Sequence, residues 1–141
     1  MRLVILIALT ALISCGGAEA PVTSPPPSAF SFTDLTEGTG APARRGSRLT
    51  VHYSGWLYDS SRPENKGKMF DSSVGLEPFT FRLGAGEVIK GWDQGFDGMR
   101  VRGKRRLIIP PDLGYGSMGM PDGTIPGNAG LVFEMELLDV R

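Results

Sequence analysis

The sequence predicts an α+β domain of about five antiparallel strands and one short helix. Three observations carry that reading. Apolar and polar residues alternate in several short segments, which is the period of a half-buried strand. Only one segment has an apolar stripe at helical spacing. Glycine (20) and proline (11) are abundant among 141 residues, which favours turns and short strands over long helices.

In chain order, "FSFTDL" (30–35) is an expected edge strand. "RLTVHYSGWLY" (48–58) sets Leu49, Val51 and Tyr53 against polar neighbours. "DSSRPENKGK" (59–68) reads as a polar loop. "FTFRL" (79–83) alternates Phe79, Phe81 and Leu83. "GEVIKGWDQGFDGM" (86–99) is the helical segment, with Val88, Ile89, Trp92, Phe96 and Met99 on one stripe. It also holds Gly91, Gly95 and Gly98, although each interior glycine costs a helix about 1 kcal/mol against alanine. "KRRLIIP" (104–110) starts charged and ends aliphatic, and "LVFEMELLDV" (131–140) alternates Leu131, Phe133, Met135 and Leu137 with Glu134 and Glu136. Such strands bury one sheet face, and the helix is the element available to cover it. The segment 110–130 is a long loop without periodicity. Loops of that length in a compact domain are usually functional or disordered, and Tyr115 and Ile125 favour an ordered, functional one.

Lys and Arg (15) balance Asp and Glu (15), for a formal net charge of zero. That argues against nucleic-acid binding, which needs a basic face. The basic runs "ARRGSR" and "RGKRR" read as solvated loops and strand ends.

The N-terminus is a separate unit. Arg2 precedes an apolar run from Leu3 to Ile13, shorter than the roughly 20 residues of a membrane span but the length of a signal-peptide core. It ends in Leu12-Ile13-Ser14-Cys15, which resembles the bacterial lipobox. Residues 1–14 are then a lipoprotein signal peptide, and Cys15 is the lipidated residue. The rival is cleavage after Ala18-Glu19-Ala20, but Pro21 follows there and disfavours it. Cys15 is the sole cysteine, so no internal disulfide can form. Residues 15–29, rich in Pro, Ser and Gly, read as a flexible tether from membrane to domain. Gly16 follows the cysteine, where an aspartate would signal inner-membrane retention in some bacteria; this leans towards the outer membrane. Residues 30–141 form one domain.

Six motifs then occur together: "VHYSGWL", "MFDSS", "PFTFRLG", "EVIKGWDQG", "IPPDLGYG" and "IPGNAGLVFEMELL". In order and spacing they resemble the FKBP-type peptidyl-prolyl cis–trans isomerases, across essentially all of residues 30–141. The resemblance implies a curved antiparallel sheet wrapped around one short helix. It implies an enzyme that accelerates X-Pro isomerisation in an apolar pocket, without nucleophile, metal or cofactor. It assigns Tyr53, Asp71, Ile89, Trp92, Tyr115 and Phe133 to the catalytic site, and Phe70, Phe79, Val88 and Ile125 to substrate binding. Trp92 would be the floor for the proline ring. The Ile89 N–H and the Tyr115 hydroxyl would bond substrate carbonyls, and Asp71 would mark the polar rim. His52 reads as structural, because its parity points away from the Tyr53 face. Gly91 and Gly95 would let the helix sit close to the sheet and leave room above Trp92.

Departures from the family pattern sit in the loops. Leu113 and Gly114 stand where members often have an aromatic and an alanine. Met120 and Thr124 also differ, and these positions should tune the residue preferred before proline. The 59–68 insertion exceeds that of the smallest members. No helical dimerisation segment precedes the domain, so a monomer is expected. Partners implied are proline-containing polypeptides, with macrolides such as rapamycin as competitors. A non-catalytic proline-peptide-binding chaperone module on the same fold is the alternative.

Overall fold

The structure, a computed structural model, describes residues 24–141. The expected signal peptide, Cys15 and residues 16–23 lie outside the described residues. Six strands join one antiparallel sheet: β1 (Ser31–Thr36), β2 (Arg48–Tyr58), β3 (Lys66–Ser72), β4 (Phe79–Arg82), β5 (Lys104–Ile109) and β6 (Leu131–Val140). One α-helix, α1 (Lys90–Gly95), lies between β4 and β5. The order across the sheet is β1-β5-β6-β2-β3, and β4 also pairs with β2. The early part of β2 (Arg48–Val51) carries β4, and its later part (Ser54–Tyr58) carries β3. Between the two pairings Ser73 bridges the gap. Its Oγ accepts the Tyr53 N–H at 2.9 Å, and its N–H donates to the Tyr53 carbonyl at 2.9 Å. The split edge leaves the Tyr53 side chain at an opening in the sheet rather than under a neighbouring strand.

Alternation fills the core as expected. Leu49, Val51 and Leu57 of β2, Leu107 and Ile109 of β5, and Leu131, Phe133, Met135 and Leu137 of β6 are buried. Trp92, Phe96 and Met99 cover them from the helical segment. The helix itself is only six residues long. Of the apolar stripe, Trp92, Phe96 and Met99 are buried while Val88 and Ile89 are half-buried, and its ends are not helical: Ile89 is extended (ψ 151°), and Gly98 takes a φ of 75°. A chain with glycine at 91, 95 and 98 gains too little from propensity to extend α1 without packing to hold it.

Three expectations need correction. The polar loop assigned to 59–68 ends in strand, because β3 begins at Lys66. Its opening "KGK" has no apolar alternation; pairing and ionic contacts hold it instead. Lys66 Nζ lies 2.8 Å from Glu64 and 2.7 Å from Glu134, and 4.4 Å from the centre of the Trp56 ring. Arg106 joins the same network, 2.7 Å from Glu134 and 2.9 Å from Glu64. Burial pushes the Glu134 carboxyl up, but the hydrogen bonds from Lys66 and Arg106 outweigh it and hold the group below its ordinary range. Second, the end of the expected 15–29 tether has fixed contacts: Pro27 packs against Gly130, and Ser24 Oγ accepts the Ser60 N–H at 3.2 Å.

Third, "RGKRR" is not simply solvated. Arg105 is 7% exposed. It occupies a core-facing position of β5 and donates to the Gly95 carbonyl (2.9 Å), the Asp97 carbonyl (3.2 Å) and Asp34 (2.6 Å). One guanidinium thus joins the end of α1 to edge strand β1. Arg105→Met keeps the stem but orphans both carbonyls and the Asp34 carboxylate. Asp34 remains 36% exposed, so water recovers part of the loss, and the expected destabilisation is about 2 kcal/mol. An unchanged urea midpoint would show that the network contributes nothing.

Candidate active site

The opening beside Tyr53 leads into a cavity of about 180 Å³. An apolar cavity of roughly 150 Å³ takes benzene, so a five-membered ring fits. β2 supplies Tyr53, β3 supplies Phe70 and Asp71, β4 supplies Phe79, and β6 supplies Phe133. Val88 and Ile89 come from the approach to α1, Trp92 from α1, and Tyr115 from the long loop. Nine of the ten expected pocket residues therefore meet on one wall. Ile125 does not: it is 3% exposed, belongs to the core cluster, and is absent from the cavity wall. Its carbonyl accepts the Met120 N–H at 2.9 Å, which folds the loop into a turn above the core. Glu87, which belongs to none of the expected site positions, also lines the cavity. Its carboxylate accepts the Arg82 N–H at 2.8 Å and ties the end of β4 to the approach to α1. The signal was its place directly before the apolar stripe.

Trp92 sits at the centre of an aromatic box. Tyr53, Phe133, Phe96, Phe81 and Phe79 surround it at ring-centroid distances of 5.0, 5.3, 5.6, 5.7 and 6.0 Å. Most of these contacts are edge-on or tilted, the preferred aromatic geometry. The indole is 5% exposed, and its N–H has no hydrogen-bond partner among the described residues. An orphaned buried donor costs about 1–3 kcal/mol. The same ring lines the cavity.

Polar groups are few and placed at the rim. The Tyr53 hydroxyl donates to Asp71 Oδ2 at 2.6 Å, and Asp71 Oδ1 accepts the Ser72 N–H at 2.8 Å. Asp71 thereby fixes the Tyr53 ring from outside the apolar wall. The Tyr115 hydroxyl and the Ile89 N–H have no hydrogen-bond partners among the described residues. Both are donors at a cavity walled largely by aromatic and aliphatic side chains, with Asp71 and Glu87 among its lining. Burial raises the Tyr115 phenol above its ordinary value, and the Asp71 charge adds to that. His52 stays out of this cavity and bonds Ser73 Oγ through Nδ1 at 2.9 Å. Among the described residues no group of three or more His, Cys, Asp or Glu side chains could hold a metal.

Burial raises the Tyr53 phenol most, followed by its hydrogen bond to Asp71 and the Asp71 charge. Since the folded value lies above the unfolded one, the stability Tyr53 adds is complete below pH about 10 and is lost as pH climbs through the higher native value. In a spectrophotometric titration the Tyr53 phenol should ionise above the ordinary tyrosine range. Tyr53→Phe should delete that high-pH step, and Asp71→Asn should move it earlier. An unchanged curve in Asp71→Asn would refute the coupling.

The family model for FKBP-type peptidyl-prolyl cis–trans isomerases matches residues 39–138. An FK506-binding protein of Neisseria meningitidis (serogroup A) is 53% identical over 108 residues, covering 76% of this chain and 92% of its own. The peptidyl-prolyl cis–trans isomerase FKBP15-3 of Arabidopsis thaliana is 50% identical over 102 residues, covering 72% of this chain and 66% of its own. The crystal structure of AtFKBP13 aligns with a TM-score of 0.68 at 43% identity, over 84% of this chain and 98% of its own. With its curved sheet, short helix and aromatic cavity, this chain belongs to the FKBP-type peptidyl-prolyl cis–trans isomerases.

Proposed function

We propose that this isomerase works at a bacterial cell envelope, and that Tyr53, Asp71, Ile89, Trp92, Tyr115 and Phe133 carry its turnover. The aromatic cavity floored by Trp92 is the observation that carries the site. Rotation about a peptide bond meets a barrier of about 18–20 kcal/mol, set by amide resonance. The twisted transition state loses that resonance, and its carbonyl becomes less dipolar. An apolar cavity stabilises this form relative to the planar amide, which is better solvated by water. The proline ring sits over Trp92, between Tyr53 and Phe133, with Phe70, Phe79 and Val88 completing the wall. The Ile89 N–H bonds a substrate carbonyl, and the Tyr115 hydroxyl bonds the amide carbonyl. Asp71 acts on Tyr53 rather than on substrate. A thousandfold acceleration needs only about 4 kcal/mol of differential stabilisation.

A proline-peptide isomerisation assay with rapamycin as competitor tests this. Saturating macrolide should return the rate to the uncatalysed one. Full activity under saturation would place the site elsewhere, and bound peptide without acceleration would make the domain a binding module.

The envelope reading rests on the sequence. Leu12-Ile13-Ser14-Cys15 follows an apolar run of signal-peptide length, and acyl chains on Cys15 would anchor the domain, as a monomer, to the outer membrane's periplasmic face. Stable anchoring takes two acyl chains or more. Cys15→Ala should move the protein from the membrane to the soluble fraction. Unchanged fractionation would refute the anchor.

A further inference from the structure

We propose that the segment Ser24–Pro27 is a strap that holds the Tyr115 loop in its working position. Pro27 is half-buried between exposed Pro26 and Ser28. Its ring lies so close to Gly130 that no Cβ could be placed there. Ser24 and Pro26 line a second recess with Tyr58, Pro126 and Ala129, and the Ser60 N–H secures Ser24 at 3.2 Å. Three consecutive prolines fix φ near −65°, so the strap is extended before it docks and loses little entropy on seating.

The segment under the strap is the return limb of the loop that carries Tyr115. Gly130 is also held by its carbonyl, which accepts the Tyr58 N–H at 2.8 Å. Two residues earlier, the Asn128 N–H donates to the Gly116 carbonyl at 2.8 Å. Gly127 packs against the Ser117 carbonyl with no room for a Cβ. The Gly116 N–H closes the set on the Pro111 carbonyl at 2.9 Å. A continuous path of contacts thus runs from Pro27 through Gly130 and Asn128 to Gly116, the residue after Tyr115. Pro27 is a positioning residue; it does not line the cavity. The proposal rests on the placement of Tyr115 at the substrate amide. It also makes the segment next to the expected membrane tether part of the catalytic structure.

The test replaces Pro25, Pro26 and Pro27 by Gly, Ser and Gly in the full-length chain. Amide exchange at Gly116 and Asn128 should quicken about tenfold, and kcat/KM should fall about threefold. Core amides of β2 and β6 should keep their protection. Unchanged exchange at Gly116 and Asn128 would overturn the proposal, as would faster exchange with kcat/KM intact. Combination with Tyr115→Phe gives the reading a general loss of packing cannot imitate. If the strap acts through Tyr115, the strap replacement costs nothing further in that background. Fully multiplicative losses would overturn the route through Tyr115. Tyr115→Phe alone tests the site: wild-type kcat/KM there would remove Tyr115 from the mechanism, and with it the strap's catalytic role.

Discussion

Trp92→Ala should bring catalysis down to the uncatalysed rate and cost the fold about 3–5 kcal/mol. Both effects come from one ring. The indole packs on Phe81 and Phe96 towards the core and meets Tyr53 and Phe133 towards the cavity. Alanine would leave a void on the core side and no floor on the substrate side. Trp92→Phe separates the two. It loses part of the ring area, but it also loses the indole N–H that has no partner among the described residues. Since leaving that donor unsatisfied costs about 1–3 kcal/mol, stability in Trp92→Phe should fall much less than in Trp92→Ala. The narrower floor should still lower kcat/KM. Denaturant midpoints and the isomerisation assay on both variants check this. If the alanine variant were as active as wild type, the cavity would not be the site.

How legible this was in the sequence depended on what holds each element. β2, β5 and β6 read correctly because their inward positions bury apolar side chains at period two, a pattern written in consecutive residues. β3 did not read. Its "KGK" start contributes Lys66 to Glu64 and Glu134, and Glu134, 68 positions away, lies outside any local window. The apolar stripe outruns α1 because burial and helicity are separate signals. Phe96 and Met99 are buried, yet neither lies within Lys90–Gly95. Arg105 is the sharpest case. Charge in a strand reads as solvated, and only the fold brings Asp34, Gly95 and Asp97 to one guanidinium.

The site divides in the same way. The aromatics of the cavity were legible from six ordered motifs. Their geometry was not, because the Tyr53–Asp71 bond depends on how β3 registers against β2 across a bulge. Ile125, expected to bind substrate, is buried in the core cluster beside the Met120–Ile125 turn, and turn geometry in a Gly-rich loop is poorly encoded by composition. Residue lists thus transfer more readily than contacts.

Gly95→Leu should destabilise the fold by about 3 kcal/mol, although leucine is the better helix former by almost 1 kcal/mol. The sign follows from how closely α1 lies on β5. A Cβ at Gly95 would already overlap the Leu107 side chain, and one at Gly91 would lie 2.7 Å from Ile109. Relief requires α1 to lift from the sheet. Trp92 sits between those glycines on the same six-residue helix, so lifting α1 carries the cavity floor with it. Activity should therefore fall further than the folded fraction does. Gly98→Ala is the contrast. No atom lies within 4 Å of a Cβ at Gly98, but its φ is 75°, so its cost is backbone strain of about 1 kcal/mol with no displacement of Trp92. Equal losses of activity in the two variants, measured where both are fully folded, would show that close packing of α1 does not set the cavity's depth. A large loss confined to Gly95→Leu ties the glycines in this helix to the room above Trp92.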